Sequence, residues 1–224
     1  MVLTRRTLLQ LGFGAGVSWA MAGPKPQALT ADQVHRELVD GNRRFASGHP
    51  RHPHLSLSWA KRTGRLGQHP HAAVLCCSDS RVVPEILFDQ GIGDLFTVRV
   101  AGNVANEDEV GSIEYGVEHL AVPLCIVLGH TSCGAVTAVV RGEKLPTEIA
   151  HLVAPIRIAF EKVKALHPEL KEQAMIRSTV RLTVLDTVAT LMNGPKILDE
   201  RIKAGQLRIE GGVYDIETGR VSWV

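Results

Sequence analysis

Short apolar runs alternate with helical segments through the middle of this chain, and this alternation constrains its fold more than any other feature. Three runs have the length of buried strands, and they lie at 72–77, 95–100 and 124–128. Helices are predicted between them, near 83–88 and at 112–120. Strands that alternate with helices form right-handed βαβ crossovers, so the pattern predicts an α/β fold with a parallel sheet covered by helices.

The remaining segments extend this architecture to the end of the sequence. Helices are predicted at 153–166 and 180–191, and a fourth strand is predicted at 207–215. A turn then leads into a last strand that ends at Val224. Residues 23–224 are predicted to form a single domain, which begins with a helical arm at about 30–48.

The first 22 residues have the layout of an export signal. They contain an arginine pair in Thr4-Arg5-Arg6-Thr7-Leu8-Leu9, an apolar stretch and a small-x-small ending at Ala22, which together resemble a twin-arginine (Tat) leader. Export by this route predicts a periplasmic protein. The alternatives are an uncleaved membrane anchor and a cytoplasmic protein with a misassigned start. The apolar stretch is shorter than the about 20 residues that span a bilayer, and no stable span is expected in the mature chain.

Composition excludes several classes of protein. The chain is 45% hydrophobic and 21% charged, which is typical of a folded globular protein. Its formal net charge of +2 comes from Arg5 and Arg6, so the mature chain has no basic excess with which to bind nucleic acid. The 4 cysteines, at positions 76, 77, 125 and 133, are too few for a disulfide scaffold.

Two motifs follow strands of the predicted sheet. Cys77-Ser78-Asp79-Ser80-Arg81 closes the first strand, and Gly129-His130-Thr131-Ser132-Cys133-Gly134 closes the third. The carboxyl ends of parallel strands share one edge of a sheet, where open α/β sheets hold their ligands. If both motifs bind one metal ion, strands one and three are neighbours. The predicted sheet order is then 2-1-3-4 plus a C-terminal strand.

The side chains of these motifs indicate zinc. The thiolates of Cys77 and Cys133 and the imidazole of His130 suit Zn²⁺, and catalytic zinc sites use three protein ligands and keep one position open. Asp79 is the fourth candidate ligand. It can close the tetrahedron, or it can pair with Arg81 and leave water on the metal. The spacing leaves both arrangements open, and a purely structural zinc site remains an alternative.

The two motifs closely resemble those of the β-class carbonic anhydrases. The segments DGNRRFASG, GDLFTVRVAGN, SIEYGVEHL and GGVYDIETGRVSWV are also similar, so the resemblance covers most of residues 30–224. The zinc ligands that the resemblance implies, one Zn²⁺ per subunit, are Cys77, His130 and Cys133. It further implies that the Asp79 and Arg81 dyad orients or replaces the zinc water.

The resemblance also implies a substrate pocket. The residues that match its polar group and apolar wall are Gln68, Phe96, Ala101 and Tyr115, with Tyr115 contributed by the partner subunit of a homodimer or tetramer. The chain departs from the family pattern at Val100, where asparagine is common, and at Ala101, where a larger aliphatic residue is common. Backbone N–H groups around Gly134, at the start of the helix after His130, can hold a developing oxyanion.

The function that the resemblance implies is the zinc-dependent, reversible hydration of carbon dioxide to bicarbonate and a proton, by attack of zinc-bound hydroxide. The alternative is a catalytically silent, zinc-stabilised α/β module that binds bicarbonate or another small anion. The expected partners are carbon dioxide and bicarbonate, further copies of the chain, and the export machinery that reads the leader.

The other two cysteines are predicted to pack in the core. Strand alternation turns Cys76 away from Cys77 and therefore away from the metal, and Cys125 lies in the middle of a strand. A redox role for Cys76 and Cys77 is weakly supported, because adjacent cysteines form only a strained disulfide.

Overall fold

A computed structural model describes residues 29–224, and the predicted leader at 1–22 lies outside these residues. The helices are α1 (Ala31–Ala46), α2 (Leu57–Leu66), α3 (Pro84–Leu87), α4 (Glu107–Leu120), α5 (Gly134–Val140), α6 (Thr147–Leu152), α7 (Ala154–Leu166), α8 (Glu172–Asn193) and α9 (Lys196–Lys203). The strands are β1 (Ala72–Cys76), β2 (Leu95–Arg99), β3 (Leu124–His130), β4 (Arg208–Tyr214) and β5 (Val221–Trp223).

The strands form one 5-stranded sheet in the order β2-β1-β3-β4-β5. The first four strands in this order pair in parallel, and β5 pairs antiparallel with β4. This confirms the predicted α/β class and the predicted order, including the pairing of β1 with β3 that a shared metal site requires. Cys76 lies opposite Leu128 in that pair, so both strands end at the same edge of the sheet.

Helices cover both faces of the sheet. One face packs against α4, α5, α7 and α8, with Ile113 and Val184 among its buried side chains. The opposite face packs against α1 and α3 through residues such as Leu38 and Leu87. Strands that are buried on both faces consist of nearly continuous apolar residues, which explains the unbroken apolar runs of β1 and β3.

Two glycines let α8 lie directly on the sheet. A Cβ added at Gly129 in β3 would come within 2.6 Å of a Val184 methyl group, and a Cβ at Gly211 in β4 would come within 2.7 Å of the other methyl of the same residue. In a close-packed interior, neither position accepts alanine unless the helix moves. This contact places α8 against the end of β3, immediately before His130.

The helix α8 begins at Glu172, earlier than the predicted start at 180. Its inner face carries Thr179 and Thr183, which are buried although threonine appears polar in a sequence pattern. Their hydroxyls donate to the carbonyls of the residues one turn earlier, each at 2.8 Å. The hydroxyls therefore need no water, and the threonines pack like apolar residues.

Other helices also differ from the sequence prediction. α4 begins at Glu107 rather than at the predicted position 112. Its first turn is acidic, which stabilises the N-terminus of a helix but adds no apolar residues to the pattern that predicts one. α6 and α9 are short helices that were not predicted. No helix within residues 29–224 has the length and apolar character that crossing a membrane requires.

Asn42 anchors α1 to two other parts of the fold. Its Nδ2 donates to the Leu87 carbonyl at 3.0 Å and to the Gly219 carbonyl at 2.9 Å. Its Oδ1 accepts the Val221 N–H at 2.9 Å. The side chain is buried, so these contacts take the place of hydrogen bonds to water. One amide thus ties α1 to α3 and to β5.

Replacing Asn42 by alanine is expected to lower the free energy of unfolding by about 2–4 kcal/mol, because it leaves buried backbone groups without partners. Denaturant titration followed by circular dichroism measures the change. Asn193→Ala is the matched control, since Asn193 is exposed at the end of α8. Equal destabilisation by the two substitutions would contradict the anchoring role of Asn42.

Candidate metal centre

Three potential metal ligands meet at the carboxyl edge of the sheet. Cys77 follows the last residue of β1, His130 is the last residue of β3, and Cys133 is the N-cap of α5. Their candidate ligand atoms all lie within 4.8 Å of one another, and all three residues are buried. The parallel pairing of β1 with β3 therefore brings together the three residues that the sequence predicted as zinc ligands.

The hydrogen bond of His130 determines which ring nitrogen faces the cluster. Nδ1 lies 2.9 Å from the Thr131 carbonyl oxygen, and a carbonyl only accepts, so Nδ1 carries the proton. Nε2 then presents a lone pair, and within residues 29–224 it is buried without a hydrogen-bond partner. A buried, unpartnered acceptor is costly, and a cation beside two cysteines removes that cost. The donor atoms therefore fit zinc.

The two thiols of the cluster interact strongly. The pKa of Cys77 is lowered, chiefly because the Cys133 thiol donates a hydrogen bond to it, and backbone N–H groups of Gly102 and Asp79 donate to its Sγ at 3.3 and 3.4 Å. The pKa of Cys133 is raised by the same hydrogen bond and by burial. A metal ion bound between the sulfur atoms would replace the shared proton and take both residues as thiolates.

Asp79 forms a two-pronged pair with Arg81. Arg81 Nε donates to Oδ1 at 2.9 Å, and its Nη2 donates to Oδ2 at 2.8 Å. These hydrogen bonds hold the pKa of Asp79 well below its usual range, so the carboxylate is ionised and can only accept. Oδ2 lies 4.0 Å from His130 Nε2. Of the four ligands predicted from the sequence, Asp79 is thus close to the cluster but engaged by Arg81.

Two arginines fix the backbone around this pair. Arg81 Nη2 also donates to the Ser132 carbonyl at 3.3 Å, which links the two metal-binding loops. Arg99 Nη2 donates to the Asp79 carbonyl at 2.7 Å from the end of β2. Arg99 is not among the site residues predicted from the sequence. Its position at the carboxyl end of a strand beside β1 was the signal that could have identified it.

The residues predicted to form the substrate pocket occupy different parts of the chain. Gln68 is exposed after α2, and Ala101 follows the end of β2. Phe96 stacks against Tyr115 with ring centroids 6.1 Å apart. Phe96 pairs in register with Ala73, which is about 13 Å along the strand from the metal-binding end. Gly134 begins α5, beside Cys133.

The remaining cysteines are buried in the core, on opposite faces of the sheet. Cys76 packs on the α1 side and Cys125 on the α8 side. Burial raises the pKa of each thiol to about 12, so neither is a reactive thiolate near neutral pH. This agrees with the packing role predicted for both.

Comparison with known proteins places this geometry in a family. A family model described as carbonic anhydrase matches residues 72–221. Carbonic anhydrase 2 of Mycobacterium tuberculosis is 40% identical over 193 residues, which covers 83% of this chain and 88% of that protein. A carbonic anhydrase of Pseudomonas aeruginosa is 34% identical over 196 residues, covering 83% of this chain and 86% of that protein.

The fold agrees with solved structures of the same family. The β-carbonic anhydrase CcaA superposes with a TM-score of 0.69 at 28% identity, and the match covers 85% of this chain and 94% of that one. The matched family model spans most of the sheet and both metal-binding motifs. The chain therefore belongs to the carbonic anhydrase family, and within it to the β class.

Proposed function

We propose that this chain catalyses the reversible hydration of carbon dioxide to bicarbonate and a proton, with zinc as its cofactor. The observation that carries the proposal is the buried group of Cys77, His130 and Cys133, whose His130 Nε2 has no partner among the described residues. The carboxylate of Asp79 lies beside this group. The catalytically silent alternative is not favoured, because the curated relatives are carbonic anhydrases.

The cluster residues bind the metal, and the surrounding backbone positions them. Bound zinc supplies a Lewis acid that makes hydroxide available near neutral pH. The Thr131 carbonyl keeps the His130 ring in the tautomer that presents Nε2. The Gly102 N–H donates to Cys77 Sγ and so stabilises its negative charge.

Asp79 orients the nucleophile. Arg81 holds the carboxylate in its ionised form, so Oδ2 accepts the O–H of the attacking oxygen and cannot donate to it. An oxygen whose proton is held by Oδ2 directs a lone pair away from the carboxylate, towards carbon dioxide. Asp79 and Arg81 are therefore the proposed catalytic dyad.

The pocket residues complete the proposed site. Gln68 provides a polar contact and Ala101 part of the apolar wall. The backbone N–H of Gly134 contacts the developing negative charge on the substrate. Apart from its chain neighbours and its own helix, no atom of residues 29–224 lies within 4 Å of a Cβ built at Gly134, so a small substrate can approach this backbone.

The remaining wall comes from a partner subunit in this proposal. The stacked pair of Phe96 and Tyr115 lies far along the sheet from the metal cluster of its own chain. Tyr115 is 49% exposed and adjoins the edge strand β2, and Leu57 of α2 is 70% exposed. Large exposed apolar side chains are typical of an interface. A homodimer that places this aromatic pair over the partner's metal centre accounts for both observations.

A tetramer built from two such dimers is the other proposed assembly. Two β-carbonic anhydrases of Sordaria macrospora are tetrameric, and one shares the fold of this chain with a TM-score of 0.68.

Two substitutions should separate metal binding from turnover. Cys77→Ala is expected to lose zinc and carbon dioxide hydration together, because it removes a ligand. Asp79→Asn is expected to retain zinc but lose about 10²-fold or more in kcat, because a carboxamide also donates and no longer fixes the nucleophile's proton. Metal analysis and stopped-flow hydration measure the two properties.

Cys76→Ala is the matched control for Cys77→Ala, since it removes the neighbouring buried thiol on the other side of the strand. It should retain zinc and activity. A fully active Asp79→Asn variant would refute the role of the carboxylate. A zinc-loaded natural chain that hydrates carbon dioxide no faster than buffer would refute the proposed function.

Mixing inactive subunits tests the shared pocket. Tyr115→Ala should be poorly active with its zinc retained, and Cys77→Ala inactive without zinc. If Tyr115 serves the partner's metal centre, equal co-expression of the two chains should restore about one quarter of the natural activity, because half of the dimers are mixed and each has one complete site. If Tyr115 serves its own centre, mixing restores nothing, and the proposed interface is wrong.

We also propose that the chain is exported through a twin-arginine signal to the periplasm. The proposal rests on the arginine pair, the apolar stretch and the Ala20-Met21-Ala22 ending. Cleavage after Ala22 releases residues 23–224 as a single-domain enzyme. Folding before export protects the thiols of Cys77 and Cys133, since a zinc-bound thiolate resists oxidation better than a free one.

Replacing Arg5 and Arg6 by lysine tests this route while conserving charge. The natural chain is expected in the periplasmic fraction at the mass of residues 23–224, and the double variant in the cytoplasm at full length. Fractionation of bacterial cells with intact-mass measurement distinguishes the two. A natural chain that stays at full length in the cytoplasm would favour the cytoplasmic alternative.

A further inference from the structure

A cavity adjoins the metal-binding loop that follows β3. It has a volume of about 180 Å³ and lies between the first half of α8 and the ends of β4 and β5. Thr131 and Ser132, which separate His130 from Cys133, form part of its wall. Among the described residues, the metal ligands themselves do not line it. The cavity therefore contacts the loop between His130 and Cys133 but not the metal ligands.

Two arginines stand side by side at this cavity. Arg177 and Arg181 both line it and both are exposed. Positions i and i+4 lie on the same face of a helix, where two like charges repel each other. Six other arginines of residues 29–224 pair with carboxylates, namely Arg43, Arg44, Arg81, Arg141, Arg201 and Arg208. Neither Arg177 nor Arg181 has such a partner anywhere in residues 29–224, so their combined charge is available to an external anion.

The remaining walls favour a ligand with an apolar body. Ile176 and Val180 of α8 form one side, and Val213 and Val224 form the other. The hydroxyl-bearing residues Ser132 and Ser222 add polar groups beside them. The cavity is smaller than the roughly 300–1,000 Å³ of pockets that hold drug-sized molecules. Its occupant is therefore a small molecule with one charged end.

We propose that this cavity binds a small organic carboxylate, with its headgroup between Arg177 and Arg181 and its apolar part against the valines and Ile176. A guanidinium matches the planar carboxylate with two parallel hydrogen bonds. A phosphate monoester is a poorer fit, because its greater charge loses more hydration on entering a mostly apolar cavity. This site takes a different ligand from the carbon dioxide pocket and does not involve the metal.

Benzoate and benzyl alcohol are matched probes, since they share a ring and differ in charge. Titration calorimetry with the zinc-loaded protein should show saturable binding of benzoate and none of benzyl alcohol. Arg177→Gln and Arg181→Gln should each weaken benzoate binding about tenfold, which is the effect of losing hydrogen bonds between charged groups. Arg157→Gln, an exposed arginine of α7 that does not line the cavity, should bind benzoate unchanged.

Ser222→Phe tests the cavity independently of the charges. Ser222 is exposed on the edge strand β5, and a ring at this position fills the cavity while both arginines remain. This variant should lose benzoate binding. Benzoate that binds Ser222→Phe as tightly as it binds the natural protein would be at the metal centre or on the open surface. The same conclusion holds if benzoate binding is unchanged when Arg177→Gln and Arg181→Gln are combined in one variant. Either result overturns the proposal, as does equal binding of benzyl alcohol.

Discussion

The parallel pairing of β1 with β3 is the interaction on which the site depends. The register that sets Cys76 opposite Leu128 brings the two metal-binding motifs to one edge of the sheet, although they are distant in the sequence. β2 pairs on the other side of β1 and supplies Arg99 and the Gly102 N–H to the same edge. A change of register by one residue would turn Cys77 towards the opposite face of the sheet and separate it from His130 and Cys133.

The polar groups of the site are unusual in the surrounding core. The strands behind it are apolar and buried on both faces. The buried amide of Asn42 has hydrogen-bond partners, whereas His71 Nε2 and Asn103 Nδ2 are buried without one in residues 29–224. At the edge of the sheet, the thiols of Cys77 and Cys133 lie close to His130 Nε2, which has no hydrogen-bond partner among the described residues. Local structure that is unfavourable without a ligand is typical of a functional site. Binding of the metal is therefore expected to stabilise the fold of this chain.

The sequence predicted the strands, their order and the three ligands because each left a strong local signal. Buried strands appear as apolar runs, and chemically specific side chains follow two of them. The start of α8 was predicted too late because Thr179 satisfies its hydroxyl within the helix and packs as an apolar residue. Arg99 was missed because its contact with Asp79 depends on how the strands align in space. The proposed place of Tyr115 over a partner's metal centre depends on contacts between chains. The cavity at Arg177 is built from segments far apart in the chain.

The position of Arg99 links the outer boundary of the sheet to its chemistry. β2 is an edge strand, and Arg99 at its end donates to the backbone carbonyl of Asp79. The side-chain carboxylate of Asp79 is in turn held by Arg81. A neighbouring molecule that moved or twisted β2 would shift Arg99 and, with it, the backbone of Asp79. The orientation of the Asp79 carboxylate would change as a result. If the proposed homodimer forms along the free side of β2, contact between the subunits and the orientation of the Asp79 carboxylate are mechanically connected through the guanidinium of Arg99.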